Sequence, residues 1–424
     1  MEKNLFKNFS IVAFANLSVS FFSFVTFYFN ANALGVKYFG ILALYTTGVV
    51  VFDRLFTLDI WQSVIKYGGR YYHKKKFQIF RDILVHCFLK EFFLLLLSFI
   101  ISNLLLIFVY KFYNFSTEFF YYGLIFSFTL LFRASNTSTG FFRLINRFDI
   151  LAICKIFFSV TTLIFSIYFW YIKKDFINYI FLFSLTLGLQ HLVIIVISVY
   201  FWKKNFNLSI LKFKILDNRI KNKISKLSKN GWITSSLGVI VHNLDIYLLA
   251  TFIDINTSGI YKFANSIASF ILLLSKPLQQ VFFPEILKMK INNNINAIRK
   301  IFKKIIFYGT IFLIISNILN ISLSKIIIEL IGGNKFNQAI LPLIILYMAY
   351  SIRASAFYIR PILINIVNER IFLKSVIYPT ILYVVCALVG VFYYGIIGIC
   401  LAHLACDIFF HYYGFVKIKS HFNN

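Results

Sequence analysis

Four basic residues lie deep inside apolar stretches that are otherwise long enough to cross a membrane, far from the predicted outer end of each. They are Arg54, Arg133, Lys276 and Arg353. A charged group is costly to place in hydrocarbon, so such residues usually face a charged partner or a water-filled cavity. Arginine in addition matches the oxygens of a phosphate group with two parallel hydrogen bonds. The four residues therefore predict a cationic site for an anionic head group.

A simpler interpretation of these side chains is that they extend to the membrane surface and contact anionic lipid. The neighbours of two of them favour a protein interior instead. Arg133 begins the stretch RASNTSTG, and Arg353 lies in SIRASA. Small polar residues of this kind are enriched where membrane helices pack together. For Lys276 both interpretations stay open.

Acidic residues also occur at membrane depth. Asp53 directly precedes Arg54, but neighbours in a helix point about 100° apart, so we expect Asp53 to pair with a cation on another helix. Asp59 follows within the same stretch, and we interpret it as a solvated residue near a helix end. Asp245 falls near the middle of an apolar run. It predicts a proton or cation site, or a partner for an arginine.

Three further polar residues share one helix face near the end of the chain. His403, Asp407 and His411 follow one another at intervals of four residues. This spacing is compatible with a proton relay or a metal site. Three ligands on one straight helix chelate a metal poorly, however, so we favour hydrogen bonding and predict no bound metal.

The elements that position these residues follow from composition. Of the 424 residues 60% are apolar and 14% are charged, with a mean hydropathy of +0.80, whereas a soluble protein carries about 25% charged residues. We therefore predict an all-α integral membrane protein with about twelve transmembrane helices. The apolar runs cover residues 9–30, 38–60, 83–109, 119–141, 150–171, 176–201, 231–253, 258–283, 305–324, 338–359, 371–391 and 395–416.

The charges between these runs give the orientation. The two termini and the loops on their side hold 31 Lys and Arg residues, whereas the alternate loops hold 7. Basic loops stay in the cytoplasm, so both termini are predicted to be cytoplasmic. Because the basic residues lie in loops at the membrane surface, the net charge of +28 indicates contact with anionic lipids and not with nucleic acid. In this topology the four buried cations lie about 21–29 Å from the outer surface, in the cytoplasmic half of the bilayer.

A basic loop divides the predicted helices into two sets of six. We predict an N-terminal lobe at 1–201, a cytoplasmic linker at 202–230 and a C-terminal lobe at 231–424. The stretches KYFGILALY and TSGIYKFAN begin the second and the eighth span, and aligning Gly40 with Gly259 places Arg54 within one turn of Lys276. Repeated halves of this kind are typical of transporters.

Two longer motifs resemble a known family. The segment FDRLFTLDIWQSVIKYG (52–68) is similar to the FD-x-L and WQ-x-x-IKYG pattern of polysaccharide-biosynthesis flippases, which belong to the multidrug/oligosaccharidyl-lipid/polysaccharide exporter superfamily. The segment GFFRLINRFDILA (140–152) resembles the G-x-x-R-x-x-x-RF-x-x-LA loop of the same family. Ile60 stands where the family often has proline. The residues of the first motif that match are Phe52, Asp53, Leu55, Trp61, Gln62, Ile65, Lys66, Tyr67 and Gly68.

The resemblance implies two six-helix lobes in a V-shaped, MATE-like arrangement that work by alternating access. It implies export of an undecaprenyl-pyrophosphate-linked glycan, for O-antigen, capsule or a similar polymer, across the bacterial cytoplasmic (inner) membrane. The cationic site would receive the pyrophosphate and sugars. Polymerase and glycosyltransferases of the same pathway are the implied protein partners. No cofactor is predicted. From their position at membrane depth, Asp53, Asp245, His403 and Asp407 are candidates either for coupling to a proton or cation gradient or for charge partners of the basic residues.

Other functions fit the sequence less well. A membrane glycosyltransferase or polymerase needs a large outer loop with acidic residues, whereas the outer loops here are short and their acids solitary. A cation-coupled multidrug exporter of the same superfamily would favour acidic cavities. A lipid II flippase typically has fourteen helices. A non-transporting scaffold would not need four buried cations. We therefore predict a transporter and not an enzyme.

Overall fold

The computed structural model of the protein describes most of the chain. The described residues are 2–58, 60–113, 116–206, 216–273, 275, 278, 282, 286, 289–290 and 295–423. Asp59 and Lys276 therefore lie outside them. The regular structure of these residues is entirely helical, without a β-strand.

Fourteen α-helices are described. In chain order they are α1 (Glu2–Phe56), α2 (Ile60–Ser63), α3 (Gly69–His73), α4 (Phe77–Tyr113), α5 (Thr117–Phe132), α6 (Asn136–Leu144), α7 (Phe148–Tyr171), α8 (Phe176–Phe206), α9 (Asn218–Phe252), α10 (Ile255–Ala268), α11 (Ile295–Gly332), α12 (Ile340–Ser355), α13 (Ile359–Ile362) and α14 (Glu369–Asn423). Short 3-10 or π-helical turns join several of them, at Val64–Gly68, Asn334–Ala339, Ala356–Tyr358 and Leu363–Val367.

The predicted membrane spans coincide with these helices. Seven helical stretches of the described residues are long and apolar enough to cross a membrane. The first and last of them cover two predicted spans each, because a glycine with positive φ bends the chain at Gly35 (φ 66°) and at Gly395 (φ 57°). Glycine adopts this conformation without the steric cost that a Cβ brings. The three remaining spans correspond to α5 with α6, to α9 and to α10. The prediction of an all-α membrane protein with about twelve spans is confirmed.

Large apolar side chains cover the outside of these helices. Phe93, Tyr171 and Phe307 are each more than half exposed, which would be unfavourable in water. In a bilayer these surfaces contact lipid chains. The polar side chains described below lie instead among packed helices.

The chain forms two compact units. One consists of residues Met1–Ala33 and Leu44–Ile240, and we call it the N-unit; the other consists of Leu34–Ala43 and Val241–Asn424, and we call it the C-unit. The start of α9 packs within the N-unit, where Ser63 Oγ lies 2.9 Å from Ser228 Oγ and Trp232 Nε1 donates to the carbonyl of Leu55 at 2.8 Å. The predicted lobes at 1–201 and 231–424 stay a prediction.

Two aligned glycines of the repeat pack against each other in the C-unit. A Cβ added at Gly40 would lie 2.6 Å from the carbonyl oxygen of Ile255, and one added at Gly259 would clash with the carbonyl oxygen of Val36. Val36 precedes Gly40 by four residues, as Ile255 precedes Gly259, so the contact is reciprocal. Glycine is required here because the two backbones touch directly. Such reciprocity is expected of segments related by a local two-fold axis.

Candidate functional site

A buried ion pair lies at an interruption of the helices in the N-unit. Arg133 begins the three-residue break between α5 and α6. Its Nη2 lies 2.8 Å from Oδ2 of Asp53, in the last turn of α1, and the two side chains are only 12% and 10% exposed. Arg133 is thus the cation on another helix with which Asp53 pairs.

The surroundings of this pair leave part of the guanidinium available. Thr57 donates its backbone N–H to the carbonyl of Asp53 at 2.8 Å, and its hydroxyl lies 3.3 Å from Asp53 Oδ1. The Thr57 hydroxyl thus contacts both the backbone carbonyl and the carboxylate of Asp53. Arg133 Nε is buried and has no hydrogen-bond partner among the described residues. Since a guanidinium carries five N–H donors, Arg133 can hold Asp53 and still donate to a second anion.

A second buried acid fixes the other end of the same interruption. Glu91, on α4, is fully buried. Its two carboxylate oxygens accept the backbone N–H groups of Asn136 and Thr137 at 2.7 and 3.0 Å, and the Thr137 hydroxyl at 2.9 Å. The first N–H groups of a helix lack partners within the helix, and a carboxylate also suits its positive end. Glu91 therefore acts as a cap for α6 from a neighbouring helix.

Replacing Glu91 with alanine is expected to lower the free energy of unfolding by about 2–4 kcal/mol, since buried donors at α6 lose their acceptor. Glu91→Gln keeps one acceptor oxygen and should cost about half as much. Chemical denaturation in detergent micelles measures both values. Glu329→Ala is the control, because Glu329 lies at an exposed position 3.9 Å from Lys325. Equal stability of the alanine variants at 91 and 329 would contradict the capping role.

Hydrogen bonds tie the interruption to α8 as well. Ser135 Oγ lies 2.6 Å from His191 Nδ1, and Ser138 Oγ lies 2.8 Å from Ser198 Oγ. Arg54, in contrast, has an exposed side chain, and its carbonyl accepts the hydroxyl of Ser236 at 3.4 Å. Arg54 and Asp53 thus point in different directions, as the helical spacing requires.

The C-unit contains a second arginine–aspartate pair. Arg353, in the last turn of α12, places its Nε 2.6 Å from Oδ1 of Asp407 on α14. The Asp407 side chain is fully buried, whereas the Arg353 side chain is 22% exposed. After α12 the chain continues as a 3-10 turn. Here too an arginine lies at a change of helix type and is held by a buried carboxylate.

The two pairs occupy related places in the sequence. The tripeptide Arg-Ala-Ser directly follows α5 at residues 133–135, and it forms the last three residues of α12 at 353–355. His191 follows Arg133 by 58 residues, and His411 follows Arg353 by 58 residues. The acids do not obey this relation, because Asp53 precedes its arginine and Asp407 follows it. The arginine is therefore repeated in the two halves, whereas the position of its acidic partner is not.

A buried carboxylate–imidazole contact forms the third polar centre. Asp245 Oδ2, on α9, lies 2.9 Å from His403 Nε2 on α14 and accepts the hydroxyl of Tyr261 at 2.5 Å. All three residues are fully buried. Asp245 Oδ1 and His403 Nδ1 have no hydrogen-bond partner in the described part of the chain. One atom of each residue is therefore available for a proton or a small cation.

The polar face of α14 does not converge on a single point. His403 contacts Asp245, Asp407 contacts Arg353, and His411 Nε2 lies 3.4 Å from the hydroxyl of Tyr358. Three separate partners fit hydrogen bonding and ion pairing between helices. Within the described residues, no three His, Cys, Asp or Glu side chains are grouped as metal ligands.

Sequence comparison decides the family. The family model described as "Polysaccharide biosynthesis protein" matches residues 5–290 of the chain. The chain belongs to this family. A search of curated protein sequences found no match.

Solved structures show the same fold. An inward-facing multidrug resistance MATE family transporter of the MOP superfamily superposes with a TM-score of 0.70 at 12% identity, covering 97% of this chain and 99% of that one. The lipid II flippase MurJ, in an inward closed conformation, gives 0.71 at 15% identity, covering 96% and 87%. A MATE transporter of Vibrio cholerae in its bent form gives 0.58 at 16% identity, covering 99% and 97%. The fold is therefore that of these all-helical membrane transporters.

The two motifs of the polysaccharide biosynthesis family pack against each other. A Cβ added at Gly140 would lie 2.9 Å from the carbonyl oxygen of Trp61, and the Arg143 guanidinium lies 4.4 Å from the centre of the Trp61 ring. Glycine lets α6 approach α2, and the cation lies on the face of the aromatic ring. Ile60 stands where the family often has proline. In this chain α1 ends at Phe56 and α2 begins at Ile60.

The loop that follows carries its own ion pair at the surface. Arg147 Nη2 lies 2.9 Å from Asp149 Oδ2, and Arg147 Nε donates to Asp149 Oδ1 at 3.0 Å. Both side chains are about two-fifths exposed. A pair of this kind contributes little to stability, so it serves to shape the loop.

Proposed function

We propose that the protein is a flippase that moves an undecaprenyl-pyrophosphate-linked oligosaccharide from the cytoplasmic to the outer leaflet by alternating access. The observation that carries this proposal is the arginine held by a buried aspartate at the end of an α-helix, found in both units of a polysaccharide biosynthesis family member. A transporter needs binding groups at membrane depth, and guanidinium groups suit a pyrophosphate.

The geometry suggests how such a site stays stable without its cargo. An unpaired buried charge is strongly destabilising, whereas a paired one is tolerated. Asp53 and Asp407 neutralise Arg133 and Arg353 in the absence of a ligand. The Arg133 donors that Asp53 does not use then bind the pyrophosphate, and Arg353 contributes positive charge. Arg54 and Lys276 add positive charge in this proposal, Lys276 on the basis of the sequence alone. The cargo changes leaflet without any covalent step.

We propose Asp245 and His403 as the coupling centre. A buried carboxylate and imidazole in contact exchange a proton or accept a small cation when one side of the membrane supplies it. Their unused atoms, Oδ1 and Nδ1, are the places where such an ion would bind.

In this proposal the protein lies in the bacterial cytoplasmic membrane with both termini in the cytoplasm. Glycosyltransferases of the same pathway supply the lipid-linked unit, and a polymerase consumes it outside, as for an O-antigen or capsule.

A second candidate is a cation-coupled multidrug exporter, which the likeness to MATE transporters favours. Proteoliposomes separate the two functions. Vesicles with the protein should move a fluorescent undecaprenyl-pyrophosphate oligosaccharide to the leaflet where an added glycosidase cleaves it. They should not move a cationic dye above the rate of empty vesicles. Saturable dye movement without oligosaccharide movement would contradict the flippase.

A further inference from the structure

An apolar groove runs along the N-unit between α4, α6 and α8. Its walls include Val85 and Phe88 from α4, Phe141 from α6, and Ile195 and Trp202 from α8. The cavity has a volume of about 140 Å³. From Arg81, at one end, to Phe88 the groove follows α4 for about 10 Å, given the rise of a helix.

The few polar atoms in the groove have partners already. Ser138 and Ser198 both line it, and their hydroxyl oxygens lie 2.8 Å apart. Arg81 is held by Asp82, with Nη2 and Oδ1 2.8 Å apart. The lining therefore offers little to a sugar or an ion. An empty apolar groove loses dispersion contacts on its open side, so a hydrocarbon chain is the occupant that suits it.

Lysines surround the end of the groove that faces the basic loops. Lys74, Lys75 and Lys76 precede α4, Lys203 and Lys204 lie near the end of α8, and all five are exposed. Ring contacts place these two helix ends side by side, with centroids 4.8 Å apart for Phe77 and Phe206 and 5.6 Å apart for Phe80 and Trp202. Their charge adds up at one place on the membrane surface.

We propose that this groove binds one acyl chain of an anionic phospholipid of the surrounding bilayer, whose phosphate head group contacts the lysines. A chain in the groove and a phosphate at the surface match the two parts of the site. Basic residues near a membrane surface attract anionic lipid. The site lies within one unit and does not depend on the proposed flippase function.

Trp202 reports on the occupant. A protein that keeps Trp202 as its sole tryptophan (W61F/W170F/W232F) is placed in nanodiscs with brominated phosphatidylglycerol or brominated phosphatidylcholine at equal mole fraction. Bromine quenches an indole that it contacts. We expect at least about twofold stronger quenching by the anionic lipid. Equal quenching by the two lipids, or none, would overturn the proposal.

Two matched pairs of variants test whether the preference for anionic lipid arises at the groove and at the lysines. Val85→Phe fills the groove and should remove the preference for the anionic lipid, whereas Val196→Phe, at an exposed position outside the groove, should not. Lys203→Gln with Lys204→Gln should weaken the preference, and Lys173→Gln with Lys174→Gln should leave it unchanged. The reverse pattern in either pair would overturn the proposal.

Native mass spectrometry gives a second readout on the full chain with its own tryptophans. The natural sequence and Val196→Phe should retain phosphatidylglycerol, and Val85→Phe should lose it. Retention of a polyprenyl phosphate in its place would overturn the assignment to a bilayer phospholipid. Oligosaccharide movement by Val85→Phe, measured in the same preparations, separates a failure of this site from a failure of the flippase.

Discussion

Arg133→Ala should abolish export of the lipid-linked glycan, with a loss of at least about a hundredfold, which corresponds to about 3 kcal/mol of lost binding. The same holds for Arg353→Ala, because each variant removes a guanidinium that would face the pyrophosphate. Lysine at either position keeps the charge but not the two parallel hydrogen bonds, so it should restore part of the activity. Surface display of the glycan, normalised to the amount of protein in the membrane, measures this.

A second pair of variants separates cargo binding from stability. Removing Arg133 alone leaves the buried Asp53 carboxylate without a charged partner, which lowers the free energy of unfolding by about 3–5 kcal/mol. The double variant Asp53→Ala with Arg133→Ala removes both charges and should be more stable than the single one. It should still be inactive if the guanidinium binds cargo. An active double variant would mean that Arg133 only neutralises Asp53, and full activity of Ala at 54, 133 and 353 together would refute the cationic site.

The second large effect is expected at Asp245. Asp245→Asn keeps the size of the side chain and an oxygen for the Tyr261 hydroxyl, but it cannot carry the charge that binds a proton or cation. Movement of the cargo should then no longer depend on an applied gradient. Initial rates in proteoliposomes, with and without a proton or sodium gradient, measure this dependence.

Tyr261→Phe is the matched control for this centre. It removes one hydrogen bond to the Asp245 carboxylate at 2.5 Å and leaves the charge in place. The variant should keep its response to the gradient, with at most a modest loss of rate from one missing hydrogen bond of about 1 kcal/mol. An unaltered gradient response in Asp245→Asn would assign Asp245 to the structure alone.

The sequence predicted the helices well because their signal is local. About twenty consecutive apolar residues are long enough to cross the bilayer as a helix, and most described residues of each predicted run are helical. The sequence predicted the conformation of the connections between helices less well. The short connection expected between the first two spans is a single bend at Gly35 within α1, because one glycine with positive φ suffices to turn the chain.

The polar centres could be predicted only in part. Arg133 and Asp53 were both recognised as unusual, yet their contact joins residues 80 positions apart, and no local pattern encodes it. Glu91 was missed, although a lone acid within the third apolar run was a usable signal. Its role depends on the break of the helix after Phe132, which the apolar pattern does not show. The repeated Arg-Ala-Ser can be seen in the sequence. The sequence does not show that each copy lies at the end of a helix.

If guanidinium groups at membrane depth recognise a pyrophosphate, the protein should discriminate between lipid anchors with and without one. The most direct measurement compares initial rates of movement in proteoliposomes for one oligosaccharide on two polyprenyl anchors, one with the pyrophosphate and one with a neutral linkage. The natural sequence should move the pyrophosphate form at least about tenfold faster, a difference of about 1.4 kcal/mol, and the Asp53→Ala/Arg133→Ala variant should not distinguish the two. Equal rates for both anchors in the natural sequence would show that the arginines do not recognise the pyrophosphate.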